Sequence, residues 1–103
     1  MFKIEFLPTA KKDIDNIIYY ISNNLKNISA AKKIKDLFIS SLDNVALFPY
    51  GYPIYQPFDT LENEYRYYRV NNFLIFYTIN DREKSVTITR VLYQKMDISE
   101  ILE

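Results

Sequence analysis

An α+β domain of order β-α-α-β-β-β, with a helical hairpin packed on one face of a small antiparallel sheet, is predicted by three observations. The stretch Tyr65–Leu92 contains three runs rich in β-branched and aromatic residues, separated by two polar turns. Upstream of it, two segments repeat apolar residues at helical spacing. Ahead of both, Phe2-Lys3-Ile4-Glu5-Phe6 alternates strictly between apolar and charged residues, as a half-buried strand does.

In that first strand Phe2, Ile4 and Phe6 point inward. Leu7-Pro8-Thr9 ends it, with Thr9 placed to cap the following helix and Asp13 and Asp15 near the positive end of its dipole. Ala10, Ile14, Ile17, Ile18, Ile21 and Leu25 then form one apolar stripe, flanked by Tyr19 and Tyr20. Asn23-Asn24 and Lys26-Asn27 break the pattern, and Ser29 is positioned to cap a second helix. The predicted buried face of that helix is Ala31, Ile34, Leu37, Phe38, Ser41, Leu42 and Val45. Lys32, Lys33, Lys35 and Asp36 read as its solvated face. So short a connection implies an antiparallel hairpin.

Pro49-Tyr50-Gly51 stops the second helix, with the only glycine of the chain free to take positive φ. The connection from Tyr50 to Glu64 carries Pro53, Pro57, Tyr50, Tyr52, Tyr55 and Phe58; it reads equally as a functional loop or as aromatic lids on the core. Tyr65–Val70 and Phe73–Ile79 form a hairpin around Asn71-Asn72, a pair suited to a tight primed turn. The second of these strands is apolar at nearly every position and so is expected to be central and covered on both faces. Val86–Leu92 returns as the last strand. Ile98, Ile101 and Leu102 then follow in a short terminal turn capped by Asp97 or Ser99.

Composition narrows the chemistry. The 103 residues make one domain, 1–103, with no apolar run near the ~20 residues that span a bilayer. The amino-terminal segment lacks the apolar core of a signal peptide, so the expected location is cytoplasmic. There is no Cys and no His, which removes thiol and Ser-His catalysis and most zinc sites. No cofactor is implied. Thirteen basic and thirteen acidic residues cancel, against the basic excess usual in proteins that grip a phosphate backbone.

Alternation sorts the sheet residues into faces. Tyr67 and Arg69 share one face of their strand, and Arg66, Tyr68 and Val70 the other. Val86, Ile88 and Arg90 fall in line, which places an arginine among core residues. Either a bulge near Thr89 reverses the face, or Arg90 has a carboxylate partner. Arg66, Arg69, Arg90 and Lys95, with Tyr65, Tyr67 and Tyr93 among them, form a candidate site for phosphate or a carboxylate-bearing peptide. The competing reading is salt bridges from these cations to Glu62, Glu64 and Asp97. The paired acids Asp13/Asp15 and Glu62/Glu64 read as solvated.

Several strings, in order, resemble the RelE/ParE superfamily of type II toxin–antitoxin toxins over nearly the whole chain. These are Phe6-Leu7-Pro8-Thr9-Ala10 with Asp13-Ile14 and Ile17; Ala30-Ala31; Leu42 through Leu47-Phe48-Pro49 with Gly51; Tyr65-Arg66, Val70, Phe73 and Ile75-Phe76-Tyr77; and Val86-Thr87-Ile88 through Arg90-Val91-Leu92. RelE-like members cleave mRNA in the ribosome, which needs a base, a phosphate-neutralising cation and an acid. Against that pattern Leu74 and Gln94 stand where RelE has arginines, Tyr65 and Tyr67 where it has lysines, and Glu100 where it has a tyrosine. Only Arg69 keeps its type, and Tyr93 stands where many relatives have His.

Tyr93-Gln94-Lys95-Met96-Asp97-Ile98 resembles instead the ending of the ParE-like branch, whose members bind DNA gyrase. The resemblance therefore implies a gyrase-binding toxin with Arg66, Arg69, Arg90, Tyr93 and Lys95 as target-binding residues. A cognate antitoxin would seat on exposed members of Tyr19, Tyr20, Phe38, Leu47, Tyr50 and Tyr52. The alternatives are a ribosome-dependent mRNA endonuclease using Arg69, Arg90, Tyr93 and Lys95, and a decayed toxin that still binds antitoxin.

Overall fold

A four-stranded sheet of order β1-β4-β3-β2 carries two helices on one face in the computed structural model, which describes residues 1–55 and 64–93. The elements are β1 (Lys3–Phe6), α1 (Pro8–Tyr19) running into a π turn at Tyr20–Asn24, α2 (Ile28–Leu47), a 3₁₀ turn at Pro49–Gly51, β2 (Arg66–Val70), β3 (Phe73–Asn80) and β4 (Ser85–Tyr93). The order β-α-α-β-β-β is the expected one. The sheet, however, is mixed: β2/β3 and β3/β4 are antiparallel, but β1 lies parallel to β4, Lys3 opposite Ser85 through Phe6 opposite Ile88. The helical hairpin between β1 and β2 carries the chain back across the sheet, as a parallel pairing requires.

Both helix starts differ from expectation. Leu7 precedes α1 and Pro8 opens it, where a missing N–H has no consequence. The Thr9 hydroxyl, expected as a cap, donates instead to the carbonyl of Thr89 (3.1 Å). In α2 the cap is Asn27, whose Oδ1 accepts from the Ala30 amide at 3.0 Å; Ser29 already lies inside the helix. Lys26, with φ 51°, makes the left-handed step between the helices. Gly51 does not use its freedom: its φ is not positive, and its amide simply closes the 3₁₀ turn onto Phe48. At the β2–β3 turn Asn71 takes φ 54°.

The core lies between helices and sheet. Ala10, Phe38 and Val45 from the helices meet Tyr68, Val70, Ile75, Tyr77, Val86, Ile88 and Val91, with Phe2, Ile4 and Phe6 at the margin as their alternation predicts. Two tyrosine hydroxyls are held inside it. Tyr77 donates to the Pro49 carbonyl (2.6 Å), and Tyr68 shares a hydrogen bond with Ser41 (2.8 Å). Burial pushes Tyr68 up to about 12 and raises Tyr77 further. Leu37, expected inside, is 45% exposed.

The opposite face is also partly covered, so β3 is apolar on both sides as its sequence predicts. There Phe76, Tyr65 and Leu92 are buried against Tyr55, Tyr67 and Leu74. Tyr55 reaches them because Pro53–Tyr55 pairs with the start of β2: the Tyr55 amide donates to Tyr65 O (2.7 Å), and the Tyr67 amide to Pro53 O (3.1 Å). This part of the long connection is therefore an aromatic lid. Residues 56–63 lie outside the described part, as does the terminal turn expected at Asp97–Leu102. No described helix is long and apolar enough to cross a membrane.

Candidate functional site

The parallel β1 covers only the first half of β4, which leaves the outer edge of β4 beyond Ile88 open. The first turns of α1 close it. The Leu7 amide donates to Ile88 O (2.9 Å), the Thr9 hydroxyl to Thr89 O, and Asp13 Oδ2 accepts from the Val91 amide at 3.0 Å. The same carboxylate takes a bidentate pair from Arg90, Nε to Oδ2 at 2.7 Å and Nη2 to Oδ1 at 3.0 Å. Asp13, expected to be solvated, is thus a structural anion.

Both explanations offered for Arg90 hold together. Phe76 faces Arg90 and Tyr77 faces Ile88, so Thr89 is an inserted residue that reverses the face of the strand. Arg90 leaves the core side, and the Asp13 partner also raises its pKa through the hydrogen bonds that it accepts.

The arginines expected to converge do not. Arg66 points to the helix side, where Nη1 donates to Tyr52 O (2.6 Å) and the guanidinium carbon lies 5.3 Å from the Tyr50 ring centroid. It holds the connection after α2 in place, with its Nε buried and unpartnered among the described residues. Arg90 is committed to Asp13. Arg69 alone stands exposed on the open face beside Tyr67 and has no ion-pair partner among the described residues. Glu64 is described and exposed, while Lys95, Glu62 and Asp97 lie outside the described residues.

Tyr93 belongs elsewhere. Its ring centroid is 5.8 Å from that of Phe73, and both line an apolar groove of about 890 Å³ at the tip of the helical hairpin. Ile17, Tyr20, Ile21 and Leu25 line it from the first helix and its continuation, Ala30, Lys33, Ile34 and Leu37 from α2, and Asn71-Asn72 from the β2–β3 turn.

Of the residues expected to meet a protein partner, Tyr20 lines this groove and Tyr19 stands 64% exposed beside it. Leu47 and Tyr50 are exposed at the far end of α2. Phe38 is a correction: at 8% exposure it packs on Phe6 in the core and offers no surface. Tyr52 is half-buried, 5.0 Å from the Tyr68 ring. Sequence reasoning missed Ile28 and Phe48, exposed at 75% and 68%, and Ile39. Their signal was present, because none of the three falls on the buried stripe of α2.

A model of the ParE toxin of type II toxin–antitoxin systems, parDE, matches residues 4–98. The chain belongs to the ParE toxin family. No curated protein matches its sequence. Among solved structures, this ParE-family fold is similar to the archaeal RelE–RelB complex from Pyrococcus horikoshii OT3. The TM-score is 0.63 at 11% identity, covering 91% of this chain and 96% of that one. It is also similar to a metal-bound toxin from Helicobacter pylori, at TM-score 0.62 and 19% identity, covering 90% and 94%. Both likenesses are of fold. Among the described residues of this ParE-family toxin, no group of three or more acidic side chains is placed to hold a metal ion.

Proposed function

We propose that this toxin arrests growth by binding DNA gyrase rather than by cutting RNA, and that a cognate antitoxin silences it. The observation that carries the reading is the fate of the cations. Cleavage of a ribose-phosphate backbone needs a general base, a general acid and positive charge on the phosphate. Arg66 holds a backbone carbonyl and Arg90 is spent on Asp13, so Arg69 is the cation left to the open face among the described residues. Neither of the deeply buried tyrosines, Tyr68 and Tyr77, is able to lose its proton near neutral pH.

Such a face is suited to contact with a protein. Arg69 supplies a fork for a carboxylate, and Tyr67 supplies amphipathic area around it. The antitoxin takes the other side of the molecule, with an amphipathic helix seated from the groove at Tyr20 along the hairpin towards Leu47 and Tyr50. In a supercoiling reaction the purified chain is expected to block gyrase at near-stoichiometric amounts. Arg69→Ala is expected to raise the amount needed about tenfold or more. Unimpaired supercoiling at a large molar excess of folded chain contradicts the proposal.

A further inference from the structure

We infer that the tip of the helical hairpin is an anchor for an anionic lipid bilayer: Leu25 and Ile28 enter the boundary between headgroups and acyl chains, and the lysines behind them meet the phosphates. Residues 23–29 are exposed without interruption, so the connection between the helices is a convex end of the molecule. The left-handed step at Lys26 and the Asn27 cap fix Leu25 and Ile28 on either side of that turn. Ile28 takes no part in the groove and is 75% exposed; Leu25 lines the groove yet remains 57% exposed. Two large aliphatic side chains in water at a protruding turn are an apolar surface without a cover.

Charge selects what covers it. Between Asp15 and Asp36 the sequence has no acid and four lysines, Lys26, Lys32, Lys33 and Lys35, in a chain whose formal charges cancel. All four are exposed, and none makes an ion pair among the described residues. A second copy is disfavoured, because two such tips bring like charges together. A nucleic acid satisfies the lysines but leaves Leu25 and Ile28 in water. A flat acidic protein surface buries little of a convex end. A fluid bilayer closes around it, with the aliphatic side chains below the headgroups, Tyr19 and Tyr20 near their level and the lysines at the phosphates. The inference stands on the tip alone and does not depend on whether gyrase is the target. A protein seated over Ile28 and a bilayer exclude one another there.

The test sediments the full-length chain with vesicles of phosphatidylcholine alone and of an equimolar mixture with phosphatidylglycerol. The mixed vesicles are expected to bind it about tenfold or more tightly than the neutral ones, with the difference shrinking at high salt. Leu25→Ser with Ile28→Ser, both at the surface, is expected to weaken binding to the mixed vesicles about tenfold or more while the thermal melt stays unchanged. The chain has no tryptophan, so depth is read from Ile28→Trp, with the exposed position of Phe48→Trp beyond the far end of α2 as the reference. Brominated acyl chains in the mixed vesicles are expected to quench the first and not the second. Equal binding to both kinds of vesicle, or sedimentation with neither, overturns the inference. Undiminished binding of the double serine variant, which marks a purely electrostatic contact, or equal quenching at the two positions also overturns it.

Discussion

Asp13 does more than any other single side chain outside the core. One carboxylate neutralises Arg90, satisfies the Val91 amide and fixes α1 against the open edge of β4. Asp13→Ala leaves a half-buried guanidinium and a strand amide without their anion. It is expected to lower stability by roughly 2–3 kcal/mol in urea unfolding, as loss of hydrogen bonds to a charged group does. Tyr68 makes a prediction in pH. Its folded value of about 12 exceeds the ordinary 10.0, so between the two the folded chain holds a proton that the unfolded chain has lost. Its contribution is full below about pH 10 and is lost as pH rises through about 12. Unfolding monitored by phenolate absorbance is expected to show that decline, and a smaller one in Tyr68→Phe.

Among the elements, α2 binds the two halves of the molecule together. Its start depends on Asn27, and Asn27→Ala is expected to destabilise the chain by about 1 kcal/mol, whereas Ser29→Ala is close to neutral by the same thermal-melt measurement. Its far end is fixed through the bond from Tyr77 to Pro49. Tyr77→Phe orphans that carbonyl and is expected to cost about 1–2 kcal/mol. The elements themselves were legible because period is a local property. The alternation of Phe2, Ile4 and Phe6, the stripe of α1 and the two-sided apolar run of β3 each show in a few residues. Their joins were not. Whether Thr9 caps a helix or reaches across to Thr89 depends on the parallel placement of β1, and no local pattern carries that pairing. Arg90 is the intermediate case: its position among core residues demanded a bulge or an anion, and only the tertiary fold shows that both are present and that the anion is Asp13.

For the molecule as a whole, the two faces differ in kind. The helical side offers an apolar groove and a run of exposed apolar residues at Tyr19, Ile28 and Phe48, a surface suited to a protein partner. The sheet side carries an aromatic cluster beside a single uncommitted arginine among the described residues of β2–β4. The candidate site was therefore legible as a list of residue types, but not as a place. Alternation put Arg66 and Arg69 on opposite faces of β2, yet it did not reveal that Tyr52 claims the first and leaves the second free. On the proposed function, this scaffold obstructs a protein target and does not cleave RNA. The most direct test is to incubate the purified chain with ribosomes translating a defined message and map the 3′ ends of the RNA. Full-length message at chain concentrations that stop gyrase is the predicted result; codon-spaced cuts that disappear with Arg69→Ala would contradict it.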